Sequence, residues 1–185
     1  MWGDRGLTVM SPFVISRVFV RSNTEGEVTL VTTGNDLIGD QRVAVQRITS
    51  AGELLYSPEP LFLSQIGSYP KKSIDDHEGG FYILFTKYNV ASKQSEFFLQ
   101  HFDSEYREIW KPGGINTGLN EWKYEYPKLV ACKDGTLFLI MSSNWRSKSE
   151  SNPSHAIVQI YDKNGKRKDS VQSSGVKFSD RSNNV

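Results

Sequence analysis

One stretch, LQHFDSEYREIWKPGG at positions 99–114, gathers several residue types that could do chemistry. It holds Asp103, Glu105, Tyr106 and Trp110 within eight positions. Two carboxylates can act as general acid and base if a partner base or nucleophile lies nearby, and none is assigned here. We favour a hairpin turn, decorated by the two acids and followed by a strand that Trp110 begins, because the chain repeats this pattern with glycine in the turn.

A second stretch, DDHEGG at positions 75–80, offers four potential metal ligands in a row, Asp75, Asp76, His77 and Glu78. Carboxylates and imidazoles bind metal ions when they converge on one point. The equivalent segments elsewhere in the chain, SNTEG and CKDG, lack this cluster. We therefore predict a hairpin here, with no metal and no cofactor.

Aromatic residues form a third group of candidates. In EWKYEY at positions 121–126, an extended backbone would place Trp122, Tyr124 and Tyr126 on one face. They then either pack between repeats, as the parallel between SYP and EYP favours for Tyr126, or form a platform for a sugar or peptide. Trp122 and Tyr124 are the better binding candidates.

Two polar loops supply the remaining candidates. NWRSKS contains Trp145 and Arg146, a pair that is enriched at protein interfaces, although a loop also folds its own tryptophan back. KYNVASKQS contains Tyr88. We list these three residues as ligand-binding candidates and predict no catalytic residue.

The composition narrows the function classes. Lysine and arginine number 22 against 21 aspartates and glutamates, so the chain lacks the net positive field typical of nucleic-acid binders. Cys132 is the single cysteine, which excludes an intrachain disulfide. No apolar run approaches the roughly 20 residues of a membrane helix, and the first residues do not read as a signal peptide. We predict neither nucleic-acid binding nor membrane insertion.

Three glutamines mark an internal repeat that must position these residues. Gln46, Gln100 and Gln159 lie in VAVQRITSAGELLY, FFLQHFDSEYREIW and AIVQIYDKNGKRKD, spaced 54 and 59 residues apart. A glycine recurs upstream of each, as Gly26, Gly79 and Gly135. The units predicted from this alignment span residues 14–64, 68–120 and 124–178 within a single domain.

Each unit reads as four short strands. Runs such as RVFVR, EVTLVT, FYILFT and AIVQIY are rich in β-branched and aromatic residues and are bounded by Gly, Asn, Asp and Ser. No window keeps helical spacing, so we predict an all-β chain of antiparallel meanders with almost no helix. Gly52 and Gly165 suit tight hairpins that need positive φ, whereas DSEYR places Tyr106 in that slot, where mild strain is expected.

Such units resemble the blades of β-propellers. The resemblance rests on the G-G hairpin, the Q-[FIY] strand, the D-x-x-G turn and the W-x-x-G-G tail, and it covers nearly the whole chain. The likeness is strongest to uncharacterised, often secreted bacterial propellers with blades of the pattern Q-x-x-D-x-x-G-x-x-x-W-x-x-G-G. It implies a secreted or cell-surface location and leaves the function open, because propellers include enzymes, binders and scaffolds.

The predicted blades are too few to close a ring. Besides three units, residues 2–9 match residues 110–117, with Trp2 aligned to Trp110, as an orphan last strand. Propellers typically close with roughly 4 to 8 blades, so three would leave strand edges and an apolar face exposed. We expect either a piece of a longer propeller or self-association.

The expected function follows from the topology. One edge of each meander carries tight turns, and the other carries the long polar loops on which binding residues usually lie. We expect a non-catalytic binding or scaffold module that presents this loop-rich face to a protein or glycan. A glycan-acting hydrolase or lyase and a structural repeat segment of a larger surface protein are the alternatives.

Overall fold

Three antiparallel sheets of four strands each form the part of the chain that the computed structural model describes, residues 14–22, 25–35, 41–55, 61–63, 69–143, 156–168 and 176–177. In each sheet the strands pair in chain order. Sheet 1 contains β1 (Val14–Ser22), β2 (Val28–Asn35), β3 (Gln41–Ile48) and β4 (Leu61–Phe62). Sheet 2 contains β5 (Tyr69–Asp75), β6 (Phe81–Asn89), β7 (Gln94–Phe102) and β8 (Ile115–Asn120). Sheet 3 contains β9 (Tyr124–Ala131), β10 (Leu137–Ser143), β11 (Ala156–Tyr161) and β12 (Val176–Lys177).

The prediction of an all-β chain built from antiparallel meanders is confirmed. Within the ranges given above, the secondary structure consists of strands and turns without a helix. Accordingly, these ranges contain no helix of the length and apolarity needed to cross a membrane. The predicted orphan strand at residues 2–9 lies outside the described residues.

Turns and loops separate onto opposite edges of the sheets. We call residues 25–27, 49–55, 75–80, 103–109, 132–136 and 162–167 the turn edge. Residues 69–72, 87–96 and 119–128 form the loop edge. The first strands β1, β5 and β9 approach one another, so they lie on the inner side of the three sheets.

The hairpins at the turn edge follow the turn chemistry expected from the sequence. Gly52 and Gly165 have φ values of 85° and 77°. Tyr106, in the equivalent slot, has φ 63°, so the predicted positive φ is confirmed. Its ring is 5% exposed and packs 5.9 Å from the ring of Phe81, and this burial offsets the backbone strain.

Two apolar clusters join the sheets face to face. The first lies between sheets 1 and 2 and includes Val31, Val43, Val45, Leu63, Phe81, Ile83, Phe85, Phe102 and Tyr106. The second lies between sheets 2 and 3 and includes Tyr82, Leu84, Phe97, Leu99, Trp110, Leu119, Leu137, Leu139, Met141 and Tyr161. Because side chains alternate across a strand, β6 contributes its odd-numbered residues to one cluster and its even-numbered residues to the other.

Trp110 belongs to this second cluster and does not begin a strand. The prediction was wrong because β8 starts only at Ile115, after the Lys111–Gly114 turn. The indole is 4% exposed, and its Nε1–H donates to the carbonyl of Lys163 at 3.0 Å. Trp110 therefore ties sheet 2 to the β11–β12 turn of sheet 3.

The repeated glutamines are buried structural ties. The Gln100 amide donates to the carbonyl of Lys111 at 3.0 Å, and the Gln159 amide donates to the carbonyl of Thr117 at 2.9 Å. Both side chains are fully buried. A buried amide that donates to a backbone carbonyl of another segment avoids the cost of an unpaired polar group, which gives the repetition a physical reason.

Candidate functional site

Asp103 and Glu105 lie in a tight turn. The Asp103 carboxylate accepts backbone N–H bonds from Glu105 and Arg107, both at 2.9 Å, and a side-chain bond from Arg107 Nε at 2.8 Å. Burial alone would raise the pKa of Asp103, but these hydrogen bonds outweigh it and lower the pKa. The interpretation of Asp103 and Glu105 as hairpin residues is confirmed.

Asp76 and His101 form a buried pair nearby. His101 Nε2 lies 2.8 Å from Asp76 Oδ2, and Asp76 Oδ1 accepts the backbone N–H groups of Glu78 and Gly80, both at 2.8 Å. Burial opposes ionisation of Asp76, yet the bonds from His101, Glu78 and Gly80 lower its pKa. Burial also raises the pKa of the neighbouring Tyr82 to about 12.

The surroundings of this pair are those of a core cluster. The His101 ring stacks 4.1 Å from the Tyr82 ring and meets the Trp110 ring edge-on at 5.8 Å. His101 is 6% exposed and is therefore part of the buried interior. Among the described residues, no group of three or more His, Cys, Asp or Glu side chains converges as a metal site.

A small pocket opens at the turn edge between sheets 1 and 2. Its volume is about 10 Å³, room for a single water molecule. The guanidinium of Arg21 beside it donates to the Gly80 carbonyl at 3.2 Å and lies 4.3 Å from the Phe81 ring centroid. The pocket is too small for a sugar or a peptide side chain.

The loop edge has the opposite character. Every exposed aromatic side chain in the described part of the chain lies there, and none lies at the turn edge. These residues are Tyr69, Tyr88, Trp122 and Tyr126, exposed by 59%, 63%, 70% and 72%. Val90, which is 79% exposed, lies beside them in the β6–β7 turn. Exposed aromatic surface on a rigid sheet is typical of a binding face.

Backbone contacts hold these residues at the junction of sheets 2 and 3. The N–H of Glu121 donates to the Ser95 carbonyl at 2.9 Å, and Ser95 pairs with Tyr88 in the β6–β7 register. Trp122 therefore projects from a turn anchored beside Tyr88. Glu121 in turn forms an ion pair with Lys71, whose ammonium lies 5.8 Å from the Tyr69 ring centroid.

Trp122, Tyr124 and Tyr126 do not share one face, because the backbone from 122 to 126 is not a regular extended strand. Trp122 lies in the β8–β9 turn, while Tyr124 begins β9 and packs against the second cluster, where burial raises its pKa. Tyr126 was expected to pack between repeats and is instead 72% exposed. Its φ of 53° coincides with an irregularity between β9 and β10, and such a bulge re-aims the side chain.

The structure thus brings some of the predicted residues together and leaves others untested. Trp122 and Tyr88 are exposed on the loop edge, and Tyr124 is half-buried beneath it. Trp145 and Arg146 lie outside the described residues. Tyr69 and Tyr126 are exposed on the same edge but were not named as binding candidates. The tyrosine–proline pair that they share was visible in the sequence, where it was interpreted as a packing signal for Tyr126.

Comparisons with known proteins support the fold. The chain is similar to the crystal structure of a thermostable family-43 glycoside hydrolase, with a TM-score of 0.50 and 10% identity over 87% of this chain and 56% of that one. It also resembles an endo-arabinase from Bacteroides thetaiotaomicron VPI-5482, with a TM-score of 0.48 and 13% identity over 86% of this chain and 62% of that one. No protein-family model and no curated protein matches the sequence. The likeness to the family-43 glycoside hydrolase shows a propeller-like fold. The chain spans 56% and 62% of the length of the two structures.

Proposed function

We propose that this chain is a non-catalytic binding module whose loop edge binds a glycan. The observation that carries the proposal is the segregation of the exposed aromatics: Tyr69, Tyr88, Trp122 and Tyr126 all lie on that edge. Aromatic rings offer a flat apolar face to the C–H face of a sugar ring, and rigid strands hold them at little entropic cost. The structure that shares the fold is named as a glycoside hydrolase, which makes glycans the first ligands to test.

A hydrolytic function has less support in the described blades. Glycoside hydrolysis uses two carboxyl groups roughly 5 to 9.5 Å apart. On the inner strands β1, β5 and β9, the described carboxylates are Asp75 and Glu125. Asp75 ends β5 at the turn edge and Glu125 lies near the start of β9 at the loop edge, so roughly 17 Å of strand rise separates them. Catalysis by the whole protein would draw its carboxylates from elsewhere.

The resemblance to secreted bacterial propellers supports a role at or outside the cell surface. In that setting, the two incomplete ends of a three-sheet stack would join further blades or a second copy of the chain. The glycan-binding edge does not depend on which of these occurs, because its residues come from sheets 2 and 3 alone.

Trp122→Ala tests the proposal. Truncating a central aromatic of a binding face typically costs 2 kcal/mol or more, so we expect glycan affinity to fall by about 30-fold. Binding is measured by isothermal titration against oligosaccharides selected on a glycan array. Ile109→Ala is the matched control, because Ile109 is an exposed apolar residue, 48% accessible, on the turn edge. The proposal fails if wild-type protein binds no glycan on the array or if Trp122→Ala and Ile109→Ala bind equally well.

A further inference from the structure

The turn edge and the loop edge differ sharply in charge although the whole chain is close to neutral. The turn-edge residues defined above contain eleven carboxylates against five lysine and arginine side chains. The largest excess of acids lies in sheet 2, with Asp75, Asp76, Glu78, Asp103, Glu105 and Glu108 against Arg107. The loop edge contains six lysines, Lys71, Lys72, Lys87, Lys93, Lys123 and Lys128, against three glutamates, Glu96, Glu121 and Glu125. Although the net charge of the chain is close to zero, the loop edge is positively charged, and it also carries the exposed aromatic side chains.

Two of the three glutamates on the loop edge are engaged by neighbouring side chains. Glu96 accepts hydrogen bonds from Asn89 Nδ2 at 2.8 Å, Ser92 Oγ at 3.3 Å and Asn116 Nδ2 at 2.8 Å. Glu121 is paired with Lys71. The third, Glu125, is half-buried on β9 opposite Ser142. The six lysines outnumber these three carboxylates, which leaves the loop edge with a formal net charge of +3.

Four of the six lysines, in contrast, have unpaired ammonium groups. Lys87 is engaged: its Nζ donates to the Gly113 carbonyl at 2.7 Å and lies 4.9 Å from the Phe98 ring centroid. The other lysine with a partner is Lys71. The remaining four are exposed and form no side-chain hydrogen bond or ion pair with any described residue: Lys72, Lys93, Lys123 and Lys128.

These ammonium groups flank the aromatic residues. Lys123 follows Trp122 directly, in a turn fixed by the bond from its N–H to Asn120 Oδ1 at 2.9 Å. Lys93 lies two residues from Ser95, at most about 7 Å along the chain, and Ser95 pairs with Tyr88. Lys72 and Lys128 continue the positive charge along the neighbouring inner strands β5 and β9. Exposed cations and exposed aromatic residues thus share the loop edge.

We infer that the loop edge selects an acidic glycan, a chain of uronic acid residues, over neutral glycans. This inference rests on the proposed function and adds the ligand's charge. The rings of Trp122 and Tyr88 stack on the sugar faces, and the ammonium groups of Lys93 and Lys123 pair with the ring carboxylates. A single-stranded nucleic acid shares this chemistry, but its affinity depends on neutralising many phosphates, which a net charge of +1 disfavours.

The test compares polygalacturonate oligosaccharides with the same oligosaccharides methyl-esterified, which keeps the sugar rings and removes the charge. We expect the acidic form to bind about tenfold more tightly at low salt and the difference to shrink as salt is raised. Lys93→Gln with Lys123→Gln should reduce the affinity for the acidic form to the affinity that wild-type protein has for the ester. The matched control is Lys133→Gln with Lys166→Gln, two exposed lysines of the turn edge.

The other possible results each overturn the inference about ligand charge, and they distinguish its failure from failure of the glycan-binding proposal. Equal binding of the acid and the ester, or binding of neutral arabinan or xylan oligosaccharides alone, overturns the inference and leaves the glycan-binding proposal standing. Absence of binding to every glycan overturns both. Tighter binding of an oligothymidylate than of polygalacturonate also overturns the inference and assigns the edge to nucleic acid.

Discussion

The turn edge and the loop edge are made by the same four-stranded unit, yet they use their polar and aromatic residues in opposite ways. At the turn edge, the carboxylates of Asp76, Asp103 and Asp162 each cap backbone N–H groups within their own turn. At the loop edge, four aromatic side chains are exposed, and four of the six lysines form no side-chain hydrogen bond or ion pair with any described residue. A group that is satisfied within the fold stabilises it, whereas an exposed group without a partner is free to bind.

Two tryptophans give the sharpest form of this comparison. Trp110→Ala removes a 4% exposed ring from the second cluster and should lower the free energy of unfolding by about 3–5 kcal/mol. Trp122→Ala, at a 70% exposed ring, should change it by less than about 0.5 kcal/mol. Urea unfolding followed by circular dichroism measures both. If the two variants lose the same free energy of unfolding, Trp122 stabilises the fold as much as Trp110 does, and the proposed difference between the edges is wrong.

Lowering the pH should reduce the stability that the turn-edge carboxylates contribute. The folded-state pKa values of Asp76 and Asp103 are lowered, so their contribution is fully present above the unfolded value of about 3.9 and is lost as pH falls through the folded values. We expect the free energy of unfolding to drop as the pH falls below about 4, and Asp76→Asn to flatten that drop.

Urea midpoints across this pH range provide the measurement. At neutral pH, Asp76→Asn should itself be destabilised by about 1–3 kcal/mol, because His101 loses its charged partner in a buried site. Glu105→Gln, at a side chain that is 67% exposed, is the matched control for loss of one negative charge and should remain near wild-type stability. If the free energy of unfolding depends on pH equally in Asp76→Asn and in wild type, the Asp76–His101 pair does not contribute to the acid sensitivity of the turn edge.

The smallest expected effect concerns backbone strain. His77 at the turn edge and Lys93 at the loop edge both have positive φ, at 69° and 53°. Lys93→Gly should stabilise the fold by about 0.5–1 kcal/mol, because glycine adopts this conformation without steric cost. His77→Gly should gain less, because the imidazole Nε2 lies 3.2 Å from the Ala131 carbonyl and that contact is lost.

Thermal unfolding of the two glycine variants measures this difference. A gain for His77→Gly that equals or exceeds the gain for Lys93→Gly would show that the turn-edge contact contributes nothing.

Much of the fold was predictable because its determinants are local. Strand composition, the glycines at hairpins and the recurring glutamines predicted the meander and even the positive φ of Tyr106. The edge on which a site would lie followed from the topology. The identity of the candidate residues followed only in part: Trp122 and Tyr88 were named, whereas Tyr126 was interpreted as a packing residue and Tyr69 was not named as a candidate.

By itself, the sequence determined the all-β repeat, the turn chemistry and the absence of a disulfide, since each depends on neighbouring residues or on a simple count. Only the tertiary structure decided which aromatics are buried. Trp110 follows a polar turn and Trp122 lies in one, but a carbonyl from the next sheet receives the first indole, while a turn anchored on Ser95 projects the second into solvent. The exposure of each indole thus depends on a partner more than 20 residues away in the chain, and the exposure of Tyr126 depends on the irregular pairing between β9 and β10.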